Sequence, residues 1–241
     1  MDLCSAPVVH MDGTFRVVPK LFLQLYSLHA FYRGEIIPMA FFLLPNKQME
    51  TYGRMFSLLK NYAHTIGVTF NPPGFQLDFE VATFKSIEES FPLATVRGCS
   101  LHFAQCLWRK VQDLALKHYY KDPNVKRLMR SVGALALVPL SHVDDAWLDI
   151  EAEAPSSDHP AHVAVESFKE YVIGTWLENA AVFPRSLCNH FRNFGARTTN
   201  HLEGWHQGLN RGIGRSHVNI FEMIAYLQKL ERWIQNSDAP P

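Results

Sequence analysis

The stretch Val8-Val9-His10-Met11-Asp12-Gly13-Thr14-Phe15 places an acid near the end of a short apolar segment. A second such segment, residues 75–77, leads into Asp78, and a third acid, Glu203, lies where a helix is predicted to begin. Three converging carboxylates can hold two Mg²⁺ ions about 3.5–4 Å apart, an arrangement that supports in-line attack on phosphodiesters. The pattern therefore predicts that these three acids form a two-metal site.

The chain up to residue 70 predicts three strands and a helix. Residues 6–18 form the first strand, which carries Asp12, and residues 21–32 are continuously apolar and aromatic, as in a strand buried on both faces. Arg33-Gly34-Glu35 predicts a turn before a third strand at 36–44. Apolar residues at helical spacing then predict an amphipathic helix over residues 51–66.

The following segments decide the fold class. We predict a short strand over 75–79 that ends at the second acid, a helix over 82–90, a strand over 94–98 and a long helix over 102–120. The order β-β-β-α-β-α-β-α is that of the ribonuclease H-like fold, in which the first strand and a later parallel strand place acids side by side. The predicted fold is therefore α/β, with a ribonuclease H-like mixed sheet flanked by helices.

The remainder of the chain predicts helices. Residues 123–192 contain little strand signal, and their apolar spacing predicts an α-helical insertion before the last catalytic helix. The predicted organisation is a first part of the core in residues 1–122, the insertion in 123–192, and C-terminal core helices with the third acid in 193–241.

Composition excludes several classes of protein. Hydrophobic residues make up 47% and charged residues 19% of the 241 residues, which is an ordinary globular balance. No apolar run is long enough to span a bilayer, so no membrane partner is expected, and the N-terminus lacks the features of a signal peptide. Four scattered cysteines are too few for a disulfide scaffold, which predicts an intracellular protein with reduced cysteines.

Five blocks of sequence occur in order at regular spacing. They are Met11-Asp12-Gly13-Thr14-Phe15 with Pro19-Lys20-Leu21-Phe22; Pro38-Met39-Ala40 with Leu44-Pro45-Asn46-Lys47 and Thr51-Tyr52; Asp78-Phe79-Glu80; Gly98-Cys99-Ser100-Leu101-His102-Phe103-Ala104-Gln105; and Arg197-Thr198-Thr199-Asn200-His201-Leu202-Glu203-Gly204-Trp205-His206. In these blocks the chain resembles the transposase domain of Mutator-like elements (MULE), over about residues 8–235.

The resemblance implies a DDE-type transposase core that cuts and joins DNA, with transposon ends and target DNA as partners, in the nucleus. It implies that Asp12, Asp78 and Glu203 are the catalytic residues and bind two Mg²⁺ or Mn²⁺ ions, with Asp12 bridging both. Cys99 and His102 match a Cys-x-x-His motif of the family, and together with His206 they are expected to support the site. A homo-oligomer is a further expectation.

Each acid also has a structural explanation. Asp12-Gly13 could form a strand-end turn, and Asp78 could cap the following helix. Asn200 and Glu203 fit a capping box with Asn200 as N-cap, a role that competes with metal binding for the same carboxylate. Glu80 is interpreted as a solvated neighbour of the second acid.

Two other functions compete with the transposase hypothesis. The chain begins eleven residues before Asp12, which leaves no room for an N-terminal DNA-binding segment and suggests a truncated or transposon-derived protein. The first alternative is therefore a domesticated, non-catalytic nuclear protein that binds DNA or chromatin. The second, a zinc-dependent interaction domain, rests only on Cys99 and His102; zinc is not expected, because four ligands are needed and no second Cys/His pair is evident.

Basic residues are concentrated in two stretches although the net charge is zero. Residues 97–130 contain eight Lys or Arg against two acids, and residues 185–215 contain five Arg against one acid, whereas residues 144–170 contain eight acids against one Lys. These stretches are either a DNA-binding surface or solvated helix faces. The residues assigned to DNA binding are Arg97, Arg109, Lys110, Arg197, Arg211 and Arg215.

We predict that the isolated chain binds DNA weakly and with strong salt dependence. Phosphate contacts release counterions, so each neutralised phosphate should steepen the fall of log affinity with log salt by about 0.9. Fluorescence anisotropy across a salt series measures this slope. Tight binding that is insensitive to salt would contradict phosphate contacts, and an absence of binding at low salt would identify the basic stretches as solvated helix faces.

Overall fold

The computed structural model describes residues 2–236, which form two compact units. The first, here called the sheet unit, contains the described residues up to Val96 and those from Thr199 onward, and the second, the helical unit, contains Arg97–Thr198. The predicted division at residues 123 and 193 stays a prediction, because compactness alone does not define an inserted domain.

A mixed five-stranded sheet organises the sheet unit. Its strands are β1 (Val9–Thr14), β2 (Gln24–Tyr32), β3 (Glu35–Leu44), β4 (Gly74–Leu77) and β5 (Thr95–Gly98). Their spatial order is β3-β2-β1-β4-β5; β1, β2 and β3 pair in antiparallel fashion and β1 pairs with β4 in parallel. The predicted α/β class with a mixed sheet flanked by helices is confirmed, and it is compatible with a ribonuclease H-like fold.

The β2–β3 hairpin follows from its turn residues. Arg33 and Gly34 both have positive φ, 48° and 96°, as a two-residue turn that matches strand twist requires. Pro38 lies opposite His29, where the register shifts by an irregularity. Proline cannot donate to a strand ladder and is tolerated at bulges and on edge strands, which agrees with the position of β3 at the edge.

Helices cover both faces of the sheet. The sheet unit contains α1 (Asp2–Ser5), α2 (Met49–Thr65), α3 (Val81–Ser90), α9 (Asn200–Ile213) and α10 (Ile220–Asn236). One core packs α2 and α3 against alternate strand residues such as Met11 and Leu28. A second core packs residues of α9 and α10, including Leu209 and Met223, against Leu25. Side chains alternate between the two faces along a strand. Met11 and Leu28 therefore mark the face that α2 and α3 cover, and Leu25 marks the face that α9 and α10 cover.

The helical unit contains five described α-helices, and the first of them ends earlier than predicted. Its helices are α4 (Ser100–Asp113), α5 (Pro123–Ala134), α6 (Val143–Ala152), α7 (His162–Val172) and α8 (Arg185–Cys188). Helix α4 stops near Leu114 because Ala115 adopts a left-handed conformation, φ 57°, and a short 3₁₀ turn follows. The predicted helix over 102–120 is therefore two segments.

Replacement of Phe56 tests the core between α2 and the sheet. It is fully buried, and its ring centroid lies 6.1 Å from that of Phe75 and 5.2 Å from that of Phe91. We expect Phe56→Ala to lower the free energy of unfolding by about 3–5 kcal/mol, because the replacement loses apolar burial and leaves a cavity. Leu58→Ala, on the same helix but 55% exposed, is the control and should change it little. Urea unfolding measures both, and equal effects would contradict this core.

Candidate functional site

Parallel pairing brings the first two acids to the same end of the sheet. His10 of β1 pairs with Gln76 of β4, and Asp12 and Asp78 each lie two residues further along. Neighbouring strands are about 4.8 Å apart, and residues two apart on a strand share a face. Asp12 and Asp78 therefore occupy neighbouring positions near the carboxyl ends of adjacent parallel strands.

The two aspartates have the same local geometry. Gly13 N–H donates to Asp12 Oδ1 at 2.7 Å, and Phe79 N–H donates to Asp78 Oδ1 at 2.6 Å. A carboxylate oxygen has two lone pairs, so each group is oriented by one amide and keeps further acceptor capacity. The strand-end turn proposed for Asp12 therefore does not exclude a ligand role.

Helix α9 brings a histidine to the first acid. Nδ1 of His206 lies 3.3 Å from Asp12 Oδ2. Glu203 is half-buried and one turn earlier on α9, and residues three apart lie on the same helix face. The contact of His206 with Asp12 thus directs the side of α9 that carries Glu203 towards β1.

The capping box proposed for Glu203 does not form with Asn200 as N-cap. Thr199 is the N-cap residue, Asn200 is already the first helical residue, and the Thr199 side chain makes no capping hydrogen bond. The backbone N–H of Glu203 donates to the carbonyl oxygen of Thr199 at 3.2 Å, as in an ordinary helix start. The prediction of Asn200 as N-cap is therefore wrong, and the choice between a capping and a metal-binding role for the Glu203 carboxylate stays a prediction.

The structure gives different information about the position of each of the three acids. The structure places Asp12 in contact with His206, and Asp12 and Asp78 each follow the paired residues His10 and Gln76 by two positions. Within residues 2–236, no group of three or more His, Cys, Asp or Glu side chains is arranged so that it could hold a metal ion. The convergence of all three carboxylates on two ions stays a prediction.

Four histidines are buried or half-buried beside the first acid: His10, His29, His201 and His206. Burial, and then the neighbouring His201, lowers the pKa of His10 to about 4. Burial, followed by the neighbouring histidines, holds the pKa of His29 well below its usual range, and burial also lowers the pKa of His201. His10, His29 and His201 are therefore neutral at pH 7.

His29 was missed by the sequence analysis. It lies inside an apolar strand, where a single histidine gives no local signal. The cross-strand register pairs His29 with His10 and Ser27 with Asp12, so both belong to the face of the sheet that α9 covers. The Arg33-Gly34 turn sets the register between β2 and β3 only. The register between β1 and β2, which brings His29 opposite His10, cannot be counted from that turn.

A second polar network lies next to the second acid. Tyr52 of α2 donates to Glu80 Oε1 at 2.5 Å and accepts from Gln24 Nε2 at 2.8 Å. Lys47 Nζ lies 2.8 Å from Glu80 Oε2. The interpretation of Glu80 as a solvated neighbour is therefore wrong: its carboxylate ties the segment after Asp78 to α2 and β2.

Cys99 and His102 lie in the helical unit. Cys99 is fully buried at the N-cap of α4, and His102 is half-buried in its first turn. The structure does not bring them into a described metal-type cluster with other Cys, His, Asp or Glu side chains. Their support of the acids stays a prediction.

The residues assigned to DNA binding are divided between the two units. Arg97, Arg109, Lys110 and Arg197 belong to the helical unit, and Arg211 and Arg215 belong to the sheet unit. Arg109, Arg197, Arg211 and Arg215 are exposed. Arg215 forms an ion pair with Glu222, which reduces the positive charge that it offers to a phosphate. DNA contacts by these six residues stay a prediction.

A known protein family matches the first part of the chain. Residues 8–106 match the MULE transposase domain. The resemblance to Mutator-like transposases is confirmed over this segment, which contains Asp12, Asp78, Cys99 and His102. Glu203 lies beyond the matched residues, so its equivalence to the third acid of the family stays a prediction.

The match supports only general statements about function. It points to a transposase-related function, and transposase domains bind DNA and depend on divalent metal ions in general. Comparison with curated proteins found no significant match. Among the described helices, none combines the length and apolar character needed to cross a bilayer.

The buried histidines predict acid sensitivity. The folded pKa of His10, about 4, lies below its unfolded value of 6.5, so the unfolded state binds more protons between these pH values. The free energy of unfolding should therefore decrease as pH falls through this window, by roughly 2 kcal/mol between pH 7 and 5 from His10 alone. His10→Gln should lose this part of the decrease.

Urea unfolding at the two pH values measures the effect. His64→Gln changes an exposed histidine of α2 and is the matched control, which should keep the wild-type pH dependence. Equal stability of the wild-type chain at pH 7 and 5 would contradict a buried neutral His10.

Proposed function

We propose that the chain is the catalytic core of a DDE-type transposase, with Asp12, Asp78 and Glu203 as ligands of two Mg²⁺ or Mn²⁺ ions. The observation that carries the proposal is the parallel pairing of β1 with β4, which ends two residues before Asp12 and Asp78 on each side, inside the segment matched to MULE transposases. Metal-dependent cleavage and joining of DNA is the reaction this arrangement suits.

The donor set fits the proposed ions. Mg²⁺ and Mn²⁺ favour carboxylate oxygens, and the three acids supply only such donors. When bound, two ions activate an attacking oxygen and stabilise the leaving one. The chain contributes position: the amides of Gly13 and Phe79 fix one oxygen of each aspartate.

Two features of the polypeptide would hold the acids in place during the reaction. The paired strands β1 and β4 carry Asp12 and lead into Asp78, and the Tyr52–Glu80 hydrogen bond secures the segment that follows Asp78. Sites built on strands and helices are held more rigidly than sites on loops, which favours the geometry that phosphoryl transfer needs.

DNA would be held by basic side chains outside the acids. Arg109, Arg197 and Arg211 are exposed, and contacts with phosphates would position a strand without reading its sequence. Assembly into a homo-oligomer and a nuclear location are parts of the same proposal and rest on the resemblance to transposases.

Asp12→Asn tests the proposal most directly. With a DNA-binding module fused to the chain, we expect Mg²⁺- or Mn²⁺-dependent nicking or strand transfer by the wild type. The variant should fall to the background rate, because an amide keeps the shape of the carboxylate but lacks the charge that the ions require. A gel assay of labelled DNA measures product, with EDTA as the metal-free reference.

Asp158→Asn, at an exposed loop position, is the matched control and should retain activity. Activity of Asp12→Asn at the wild-type level, or activity that persists in EDTA, would exclude Asp12 as a metal ligand. Binding of DNA by the wild type without any cleavage would favour the domesticated, non-catalytic alternative.

A further inference from the structure

A continuous chain of polar contacts leads from the buried interior of the sheet unit to the first acid. His29 Nε2 lies 2.8 Å from Ser27 Oγ, and Ser27 Oγ lies 3.1 Å from His206 Nε2. Nδ1 of the same imidazole lies 3.3 Å from Asp12 Oδ2. Ser27 and His206 therefore each have a polar neighbour on both sides.

The partners of the two imidazoles indicate which ring nitrogen carries a proton. A carboxylate only accepts, so a hydrogen bond from His206 to Asp12 requires a proton on Nδ1. His29 Nδ1 has no hydrogen-bond partner among the described residues, and a buried N–H without an acceptor is costly. The proton of neutral His29 therefore lies on Nε2 and is donated to Ser27.

The surroundings hold His206 in a single orientation. It is 6% exposed, and its ring meets the ring of His29 edge-on at 6.4 Å. Trp205 lies edge-on against His29 at 5.2 Å and stacks on Phe41 at 5.5 Å, which fixes this turn of α9 against β2 and β3. A side chain with both ring nitrogens in polar contact and almost no solvent exposure has little freedom to rotate.

We infer that His206, fixed by Ser27, is a positioning residue that holds the Asp12 carboxylate in the orientation that receives the metal ions. The inference rests on the proposed function. Oδ1 of Asp12 accepts from the Gly13 amide and Oδ2 lies 3.3 Å from His206 Nδ1, so each oxygen has a neighbour that orients it while lone pairs remain for a cation. Partners that orient a ligating carboxylate typically change metal affinity about 10–100-fold when replaced.

Two replacements of His206 separate positioning from simple packing. In Asn the amide nitrogen takes the place of Nδ1 and can still donate to Asp12, whereas in Gln it takes the place of Nε2 and reaches only towards Ser27. We expect His206→Asn to bind Mn²⁺ nearly as the wild type does, and His206→Gln to bind it about 10-fold or more weakly. Ser27→Ala, which acts one step further away, should weaken binding by a smaller factor.

The measurement is calorimetric titration of the full 241-residue chain with Mn²⁺, with His64→Gln as the control for the same replacement at an exposed helix position. Thermal melts without added metal provide an independent readout of the contact. Asp12→Ala and His206→Gln should be non-additive, with the double variant melting no lower than the more damaging single variant.

The outcomes distinguish this inference from the function on which it rests. Weakened Mn²⁺ binding in the Gln variant, with recovery in the Asn variant, supports the positioning role. Equal affinity of the wild type and both variants overturns it and leaves the metal site intact. Additive melting temperatures overturn the contact itself. Absence of Mn²⁺ binding by the wild type, with non-additive melting, overturns the proposed metal site while the contact stands.

Discussion

The parallel pairing of β1 with β4 is the constraint on which the candidate site depends. β1 is the central strand of the sheet, so its position is fixed by hydrogen bonds to β2 on one side and β4 on the other. A shift of one residue between β1 and β4 would turn one acid to the opposite face. The buried apolar residues of β1, Val9 and Met11, resist such a shift because they belong to the core beneath α2.

The same alternation that buries Val9 and Met11 places polar residues on the other face. His10 and Asp12 of β1 and their partners His29 and Ser27 of β2 lie there, under α9. A sheet–helix interface normally contains apolar side chains, and buried polar groups need partners to avoid a large penalty. Nδ1 of His10 and Nδ1 of His29 have no hydrogen-bond partner among the described residues, so this face is costly for stability. Local departures of this kind are expected where a protein maintains a functional site.

Both acid-bearing segments are fixed from outside the strands that carry them. Asp12 is reached by His206 of α9, and the segment after Asp78 is reached by Tyr52 of α2 through Glu80. The two helices lie on opposite faces of the sheet. Burial raises the pKa of Tyr52, with the hydrogen bond to Glu80 as a further cause, so its hydroxyl remains a donor over the physiological range. The acids are thus held by side chains distant from them in sequence.

The local patterns in the sequence determined the order of the strands, the β2–β3 turn and the positions of Asp12 and Asp78 relative to their strands, because periodicity and turn chemistry act over a few residues. They also predicted a helix start close to Glu203. They misplaced the end of α4, because alanine favours helices and gives no sign that Ala115 adopts a left-handed conformation. They indicated a solvated Glu80, since its partners Tyr52 and Lys47 are about thirty residues away.

Only the tertiary structure decided which side chains meet the first acid. Ser27, His29 and His206 come from β2 and α9, and the separation of 179 residues between Ser27 and His206 leaves no trace in any local pattern. Their contact exists because strand register and helix packing together place them on one face. The sequence thus indicated the position of each acid relative to its own strand or helix. The environment of Asp12 depends on elements that are brought together only by folding.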